Sequence, residues 1–568
     1  MGRCCRRCQR TSIGTAFKLT LPNKNTSPSV RIPVGNEFSF TESEEKVIAL
    51  LDTQKQIVRG DVETALNISQ AMAVRVLRGN FLAGYKDGCT NVIAPAPLFC
   101  YRISMIVMKF GGSSVADAGR IRHVAAIVQS QLSRKPVLVF SAMGDTTDHL
   151  LEAGNTAFRK GEVSTEQIEK HHFDTIKKLK LPDTAKKEVA SLLEELQRLL
   201  SGISLIRELT PRTKDFLVSF GERLSVRIVA AYFNSLGIKA VACDAWDVGF
   251  LSDSNFTSAE LVKESQDLIA AKIKALLKAG VLPVVTGFVA KDKNGDITTL
   301  GRGGSDLSAT IIASACNAEE AQVWKDVDGI LTADPRIVEK AIPVEAVTYE
   351  EAAELAYFGA QVLHPRAMQP CISTGTPVLV KNSYNISAPG TRIVATLQKG
   401  TPPVRAITSR RDVTLVDIVS TRMMGQYGFL AELFSGFARH RISVDMVATS
   451  EVSVSLTIDA GQDISALKKE LAKIVNIDVK TGKAIVTIVG NVKRSSEILA
   501  RAFRTCQLIG VPVQMISQGA SKVNISFIVN DTEASEVVRA LHYDFFEFNP
   551  AEKAVVKVEA KRTARNVK

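Results

Sequence analysis

Val107-Met108-Lys109-Phe110-Gly111-Gly112-Ser113-Ser114-Val115 is the stretch from which the fold can be read. The apolar run 105–108 predicts a short buried strand. A lysine stands at its end, two glycines and two serines follow, and an amphipathic run continues through Val128. The order is strand, tight turn, helix. Glycines let a ligand approach the backbone because no Cβ stands in the way. Turn amides and a helix N-terminus then face an anion, and Lys109 adds a positive charge at the same spot. In a Walker A loop the lysine follows the glycines; here it precedes them. Alone, the pattern suits either an anion-binding turn or a plain strand–helix turn with an exposed lysine.

A second stretch narrows the choice. Thr298-Thr299-Leu300-Gly301-Arg302-Gly303-Gly304-Ser305-Asp306 again opens a run, 307–315, that is apolar at helical spacing. Arg302 suits a phosphate or a carboxylate, which a guanidinium binds with two parallel bonds. Asp306 suits a metal ion or a lysine ammonium. With both turns in place, the ordered set KFGGSSV, SFGERLS, TTLGRGGSD, WKDVDGILTADPR and FGAQVLHP resembles the amino acid kinase family. Within it the sequence is most similar to the aspartokinases, of the single-function plant type, over roughly residues 105–545.

Composition agrees with a multidomain globular chain. At 568 residues three or four domains are expected, and 45% apolar with 23% charged residues are globular values. No apolar run reaches the length of a membrane span. Of the net charge of +12, residues 1–36 carry +7 with no acid, which leaves +5 for the remaining 532. The basic total therefore does not point to nucleic acid, and no basic stripe interleaved with aromatics follows. The acid-free, Arg-rich leader also holds seven Ser/Thr, the signature of an organelle transit peptide. Arg6 breaks the myristoylation pattern that Gly2 would begin. Of nine cysteines, Cys5 and Cys8 make a lone CxxC without a second pair, so zinc is not expected, and reduced, mostly buried thiols are.

Residues 37–104 carry no recognisable chemistry; 52–82 reads as a helix. From 105 to about 395, predicted strands (137–141, 240–242, 282–285, 322–325) alternate with predicted helices (117–132, 164–179, 258–279). Alternation predicts a mainly parallel sheet with helices on both faces, and such sheets bind ligands beyond the C-terminal ends of their strands. The charged helical region 164–200 interrupts the alternation. Thr401-Pro402-Pro403 marks a break. Beyond it Val444-Asp445-Met446-Val447 returns as Val513-Gln514-Met515-Ile516, and Val454-Ser455-Leu456-Thr457 as Val523-Asn524-Ile525-Ser526, both offset by 69. This is an internal repeat of one small α+β module, similar to a tandem of ACT domains. The expected class is α/β: an amino acid kinase fold followed by two ferredoxin-like ACT domains. The expected divisions are a plastid transit peptide (1–36), an extension (37–104), a catalytic domain (105–395), a linker (396–405), two ACT domains (406–480 and 481–547) and a tail (548–568).

The resemblance implies transfer of the γ-phosphoryl group of MgATP to the side-chain carboxylate of L-aspartate. Such transfers rest on positioning and charge neutralisation. Lys109 is the expected cation across the transferred group, with Asp306 beside it. Gly111, Gly112 and Ser113 are expected to donate amides to the phosphates. By the same resemblance Glu222 receives the substrate ammonium, Arg302 clamps a substrate carboxylate, and Ser305 and Thr147 line that site, Thr146 competing with Thr147 for the role. Lys325, Asp326, Leu331 and Arg336 are expected on ATP, and Gln361 and Val362 close its pocket, although some relatives carry lysine where Gln361 stands. Asp326 and Asp328 also suit an Asx turn, and His364 before Pro365 reads as structural. No resident metal site is expected beyond the Mg²⁺ that comes with ATP. For the first ACT module the resemblance implies a ligand loop of Met423, Gln426, Gly428, Phe429 and Leu430 facing Asp445, Thr449, Ser450 and Glu451. Two acids suit a cationic effector, expected to be L-lysine, with a contribution from S-adenosylmethionine left open.

The expectation is thus a lysine-inhibited aspartate kinase of the plastid stroma, the first step of lysine, threonine and methionine biosynthesis. It is expected as a homodimer or larger assembly through its ACT domains, with no nucleic-acid or membrane partner. Two enzyme alternatives are a relative acting on glutamate or a nucleotide and an aspartokinase–homoserine dehydrogenase fusion. About 20 residues follow the second repeat, too few for a dinucleotide-binding domain. The alternative from another class is a catalytically inactive ACT-type amino-acid sensor.

Overall fold

The computed structural model describes residues 105–358, 363–398, 400–420, 423–424, 426–472, 474–491, 495–519 and 523–548, together with two short strands, Lys18–Thr20 and Gln56–Val58. Those two strands pair antiparallel. The second falls inside the helix predicted for 52–82 and corrects it: Ile57 and Val58 are β-branched and favour extended backbone. The rest of that stretch, the leader (apart from Lys18–Thr20) and residues 549–568 lie outside the described residues.

The main sheet has eight strands in the order Ala346–Thr348, Thr391–Val394, Val378–Asn382, Glu320–Lys325, Ile106–Phe110, Pro136–Phe140, Leu282–Thr286, Ala240–Cys243. All neighbours run parallel except Val378–Asn382 and Thr391–Val394. The mainly parallel sheet is as expected, and its central strands are nearly continuous apolar runs because both faces are covered. Side chains alternate between two cores. Ile106, Met108, Phe110 and Trp324 enter one, with the helices Ala118–Gln129 and Pro211–Ser235; Val107 and Val323 enter the other, with Gly304–Cys316. The helices Glu166–Leu179 and Asp183–Ile206 form the predicted charged insertion. The helix expected over 258–279 begins only at Ser265. Its first part is held instead by a bridge between Leu261 and Ser252, a tertiary contact that overrides local propensity.

Residues 404–530 build a six-stranded antiparallel sheet, ordered Val447–Thr449, Ser453–Asp459, Val404–Val419, Asn476–Gly490, Asn524–Asn530, Met515–Ser517. The repeated segments occupy matching places, one pair at the two edges and one pair just inside them. The two central strands are long and shared. Val413–Val419 pairs with the Ser453–Asp459 strand, whereas Val404 and Ile407 pack in the core around Phe527 and Val538. The modules are interlocked rather than strung in sequence.

Candidate active site

Strand periodicity sets the geometry. Lys109 lies two residues past Val107 and so points to the Gly304–Cys316 side. The neighbouring strand is in register, Val323 opposite Lys109, so Lys325 lies on the same face one repeat further along. The helix there presents Asp306 in its first turn. Lys109 Nζ stands 2.6 Å from Asp306 Oδ1 and Lys325 Nζ 3.5 Å from Oδ2. Burial pushes the Asp306 carboxyl up, but the two ammonium groups outweigh it and hold it below its ordinary value. Of the two partners expected for Asp306, a metal ion or an ammonium, the fold supplies the second.

Lys109, Gly112, Thr147, Glu222, Arg302, Ser305 and Asp306 line one open cavity of about 590 Å³. Its walls are the C-terminal ends of the Ile106–Phe110 and Pro136–Phe140 strands, the helix Pro211–Ser235 and the 299–306 turn. Glu222 is buried in that helix; its Oε1 accepts from the Ala142 amide at 3.2 Å, while Oε2 is buried without a hydrogen-bond partner. Burial raises its carboxyl to about 8, the amide and Lys109 pulling less strongly the other way. An ammonium entering the cavity would supply the missing partner. Arg302 is exposed at the rim without a protein partner among the described residues. The Thr146 hydroxyl turns back to the Met143 carbonyl at 2.5 Å, which leaves Thr147 as the threonine on the cavity wall.

The glycine turn is close-packed. A Cβ on Gly112 would stand 2.8 Å from the Ala142 carbonyl and 3.1 Å from that of Gly144. Gly111 directs its own amide to the Trp324 carbonyl at 3.4 Å, so among the described residues it is Gly112 and Ser113 that have the uncommitted amides. The turn is a short 3-10 segment, Gly112–Val115, and the longer helix starts after Asp117, whose side chain caps the Arg120 amide. Arg120 lies 3.3 Å over the Tyr384 ring, and the Tyr384 hydroxyl donates to the Ser113 carbonyl at 3.1 Å.

The residues expected on the nucleotide base and ribose are not in this cavity. Asp326 is exposed, and Asp328 accepts from Asn382 at 2.8 Å and Asn385 at 3.2 Å. Leu331 bridges to Pro343. Arg336 is exposed and folds onto Asp334 at 2.7 Å. They follow one another past the end of the Glu320–Lys325 strand. Gln361 and Val362 lie outside the described residues. His364 is structural as expected: its ring accepts from the Arg366 amide at 3.3 Å and caps the helix Pro365–Thr374.

Asp215 is a cavity residue the sequence reading missed. It is buried and accepts from the Thr257 amide at 2.8 Å and from the Thr299 amide and hydroxyl at 2.9 and 2.8 Å. It thereby ties the helix to both loops that frame the cavity. The available signal was its spacing, two helical turns before Glu222 on one face.

In the first repeat, Gly428 has φ +80 and opens the helix Phe429–Arg439. Phe429 is core and Met423 packs against that core; Leu430 is exposed. Gln426 and Glu451 are exposed too. Thr449 ends an edge strand, and the Ser450 hydroxyl meets that of Ser453 at 2.7 Å. The Asp445 side chain already has protein partners. It accepts from the Tyr357 hydroxyl at 2.5 Å and faces Arg410 at 3.2 Å. Tyr357 ends the helix Tyr349–Tyr357, which the chain leaves toward His364.

Comparison with known proteins agrees with this architecture. Residues 104–382 match the amino acid kinase family, and residues 416–469 and 486–545 match the ACT domain. Aspartokinase 1, chloroplastic, of Arabidopsis thaliana is 49% identical over 458 residues, 78% of this chain and 80% of that one. Among solved structures, Escherichia coli aspartokinase III in complex with lysine and aspartate (T-state) superposes with a TM-score of 0.66 at 32% identity, over 78% of this chain and all of that one. The same enzyme in complex with aspartate and ADP (R-state) gives 0.64 at 33%, with the same coverage.

Proposed function

The chain belongs to the aspartokinase family, and from that membership we propose that it transfers the γ-phosphoryl group of ATP to the side-chain carboxylate of L-aspartate, giving 4-phospho-L-aspartate and ADP. The observation that carries the reading is one cavity holding a buried carboxylate with an unpartnered oxygen, a free guanidinium and a buried lysine. L-Aspartate has one group for each: its ammonium for Glu222, its α-carboxylate for Arg302 and its reacting carboxylate beside Lys109. Thr147 and Ser305 complete the walls.

The reacting carboxylate is ionised near neutral pH, so no general base is required. Its oxygen attacks the γ-phosphorus while the bond to the β,γ-bridging oxygen breaks. Two anions must approach each other, so the catalytic task is charge neutralisation. Lys109 spans the transferred group, and Asp306 aligns it by ion pairing, with Lys325 on the opposite oxygen. The uncommitted amides of Gly112 and Ser113 suit the phosphates, and the wall that Gly112 presses against leaves no room for a side chain there. Mg²⁺ is proposed to enter on the triphosphate, where it would neutralise phosphate charge. Lys325, Asp326, Leu331 and Arg336 are proposed to follow the nucleotide away from the cavity, with Gly111, Gln361 and Val362 closing its pocket.

L-Lysine is the proposed inhibitor, acting through Asp445, Glu451 and the 423–430 loop of the first ACT module, with S-adenosylmethionine a candidate second effector. Homodimerisation or higher assembly through the ACT modules and a stromal location within the plastid are proposed with it. The test is ADP release by protein lacking residues 1–36, with ATP, Mg²⁺ and L-aspartate, with and without millimolar L-lysine. Aspartate-dependent turnover suppressed by lysine is expected. ATP binding without turnover would favour an inactive sensor.

A further inference from the structure

Arg366 stands outside the cavity lining, in the first turn of the helix Pro365–Thr374. Its guanidinium grips two loops at once. Nη1 donates to the Leu300 carbonyl at 2.9 Å and the Ser258 hydroxyl at 3.3 Å; Nη2 donates to the Ala259 carbonyl at 3.1 Å and faces Glu260 at 3.7 Å. Leu300 leads directly into Gly301 and Arg302. Ser258 follows Thr257, whose amide Asp215 holds from the cavity side. The same two loops are thus tied by a carboxylate from within and by a guanidinium from outside.

The two segments also meet directly, the Ala259 amide donating to the Thr299 carbonyl at 2.9 Å, and Arg366 adds its bonds on the outer side of that contact. A cavity of about 580 Å³ lies there, lined by Ala259, Leu261, Leu300 and Ile311 beside Arg366. Directed hydrogen bonds to backbone carbonyls therefore stand where side-chain packing would otherwise set the loop spacing. Gly301 has φ +74, and a Cβ on it would come within 3.5 Å of Arg366 Nη1 and 3.1 Å of the Thr257 carbonyl. Among the described residues Arg302 has no protein partner to align it, so the reach of its guanidinium depends on the place of its backbone.

We propose that Arg366 is a positioning residue for the amino-acid substrate: by fixing the 258–260 segment against Leu300 it sets where Arg302 meets the α-carboxylate of aspartate. The inference rests on the aspartate kinase reading above. A planar fork with several donors can hold three oxygens on two loops; a lysine ammonium cannot reach all of them in one geometry. The phosphate side of the site, Lys109 to Ser113, is built on other elements and is left intact.

The experiment is steady-state kinetics of R366Q, R366K, R302A and the R366Q/R302A double variant in the otherwise full chain, varying aspartate and ATP separately. R366Q is expected to raise the aspartate KM by about tenfold, a fraction of the loss that a misplacement of a full ångström can cause. The ATP KM should stay within about twofold. R366K should fall between wild type and R366Q. In the R366Q background R302A should cost less than it does in wild type, because the two side chains act as one unit. An aspartate KM unchanged in R366Q, aspartate and ATP KM rising together, or fully additive variants would overturn the proposal. If R366Q does not fold, R366K and R302A are read by the same split. Wild-type protein without aspartate-dependent turnover would instead sink the kinase reading, a result distinguishable from an active wild type with an unaffected R366Q.

Discussion

Glu222 makes a pH dependence that can be worked out in advance. Its carboxyl is raised from the ordinary 4.5 to about 8, by burial first, with the Ala142 amide and Lys109 pulling less strongly the other way. Because the folded value lies above the unfolded one, folding takes up a proton between those limits, and stability is lost as pH rises through the window. At pH 7 the penalty is about 3 kcal/mol. An aspartate ammonium at Oε2 favours the ionised form, so binding must expel the carboxyl proton below about pH 8. Linkage then gives a shape as well as a sign: the aspartate KM should fall severalfold as pH rises from about 6.5 toward 8, and the fall should slacken above about pH 8. E222Q keeps an acceptor for the Ala142 amide but removes the charge. It should be more stable than wild type at pH 7, should lose the pH dependence, and should lower kcat/KM for aspartate by about two to three orders of magnitude, the cost of a buried ammonium left unpaired. Initial rates of ADP release at saturating ATP across this pH range measure all three with a thermal melt. A wild-type aspartate KM that is flat with pH, or E222Q within about threefold of wild type, would refute the assignment of Glu222 to the substrate ammonium.

Three further outcomes are expected. K109A leaves buried Asp306 with only the more distant Lys325; kcat should fall by about three orders of magnitude or more, as when a phosphate-neutralising cation is lost, and the melting temperature should drop because half of a buried ion pair is gone. Unchanged turnover would remove Lys109 from the mechanism. G112A puts a methyl group 2.8 Å from the Ala142 carbonyl, backbone that cannot yield; the ATP KM should rise by about tenfold or more, and an unchanged value would show that the turn does not hold phosphate. Y357F removes the hydroxyl that occupies Asp445. A lost hydrogen bond to a charged group corresponds to about tenfold, so half-inhibition by lysine should need correspondingly less lysine; an unaltered inhibition curve would mean that Asp445 is not contested between Tyr357 and effector.

Much of the catalytic region could be read from residues close together in sequence. The strand–turn–helix units at 105–128 and 298–316 are local patterns, apolar runs punctuated by glycines and a charge, and the structure has both. Alternation of such units implied a parallel sheet, and the ends of its strands are where the cavity lies. Lys109, Thr147, Glu222, Arg302, Ser305 and Asp306 come together there although 197 positions separate the first from the last. The repeat at offset 69 likewise located two equivalent modules.

What the linear pattern could not hold is who faces whom. Asp306 suited a metal or an ammonium equally until strand register put Lys109 and Lys325 on its two oxygens. Asp215 and Arg366 carry no motif, because their partners are backbone groups of loops far along the chain. Asp445 was legible as an acid for a cation, but not as one already held by Tyr357 from another element. The two ACT-like repeats could be counted, yet their merging into one sheet depends on two long strands that serve both. The sequence by itself determined the fold class and the chemical kinds present at the site, since these follow from periodicity and from side-chain chemistry near the glycine turns. The tertiary structure decided the pairings, the buried unpartnered oxygen of Glu222 and the contact of Asp445 with Tyr357 at the end of the helix Tyr349–Tyr357. Those depend on burial and on contacts between residues far apart in the chain, 80 positions for Glu222 and Ala142 and 88 for Tyr357 and Asp445, which local propensity does not encode.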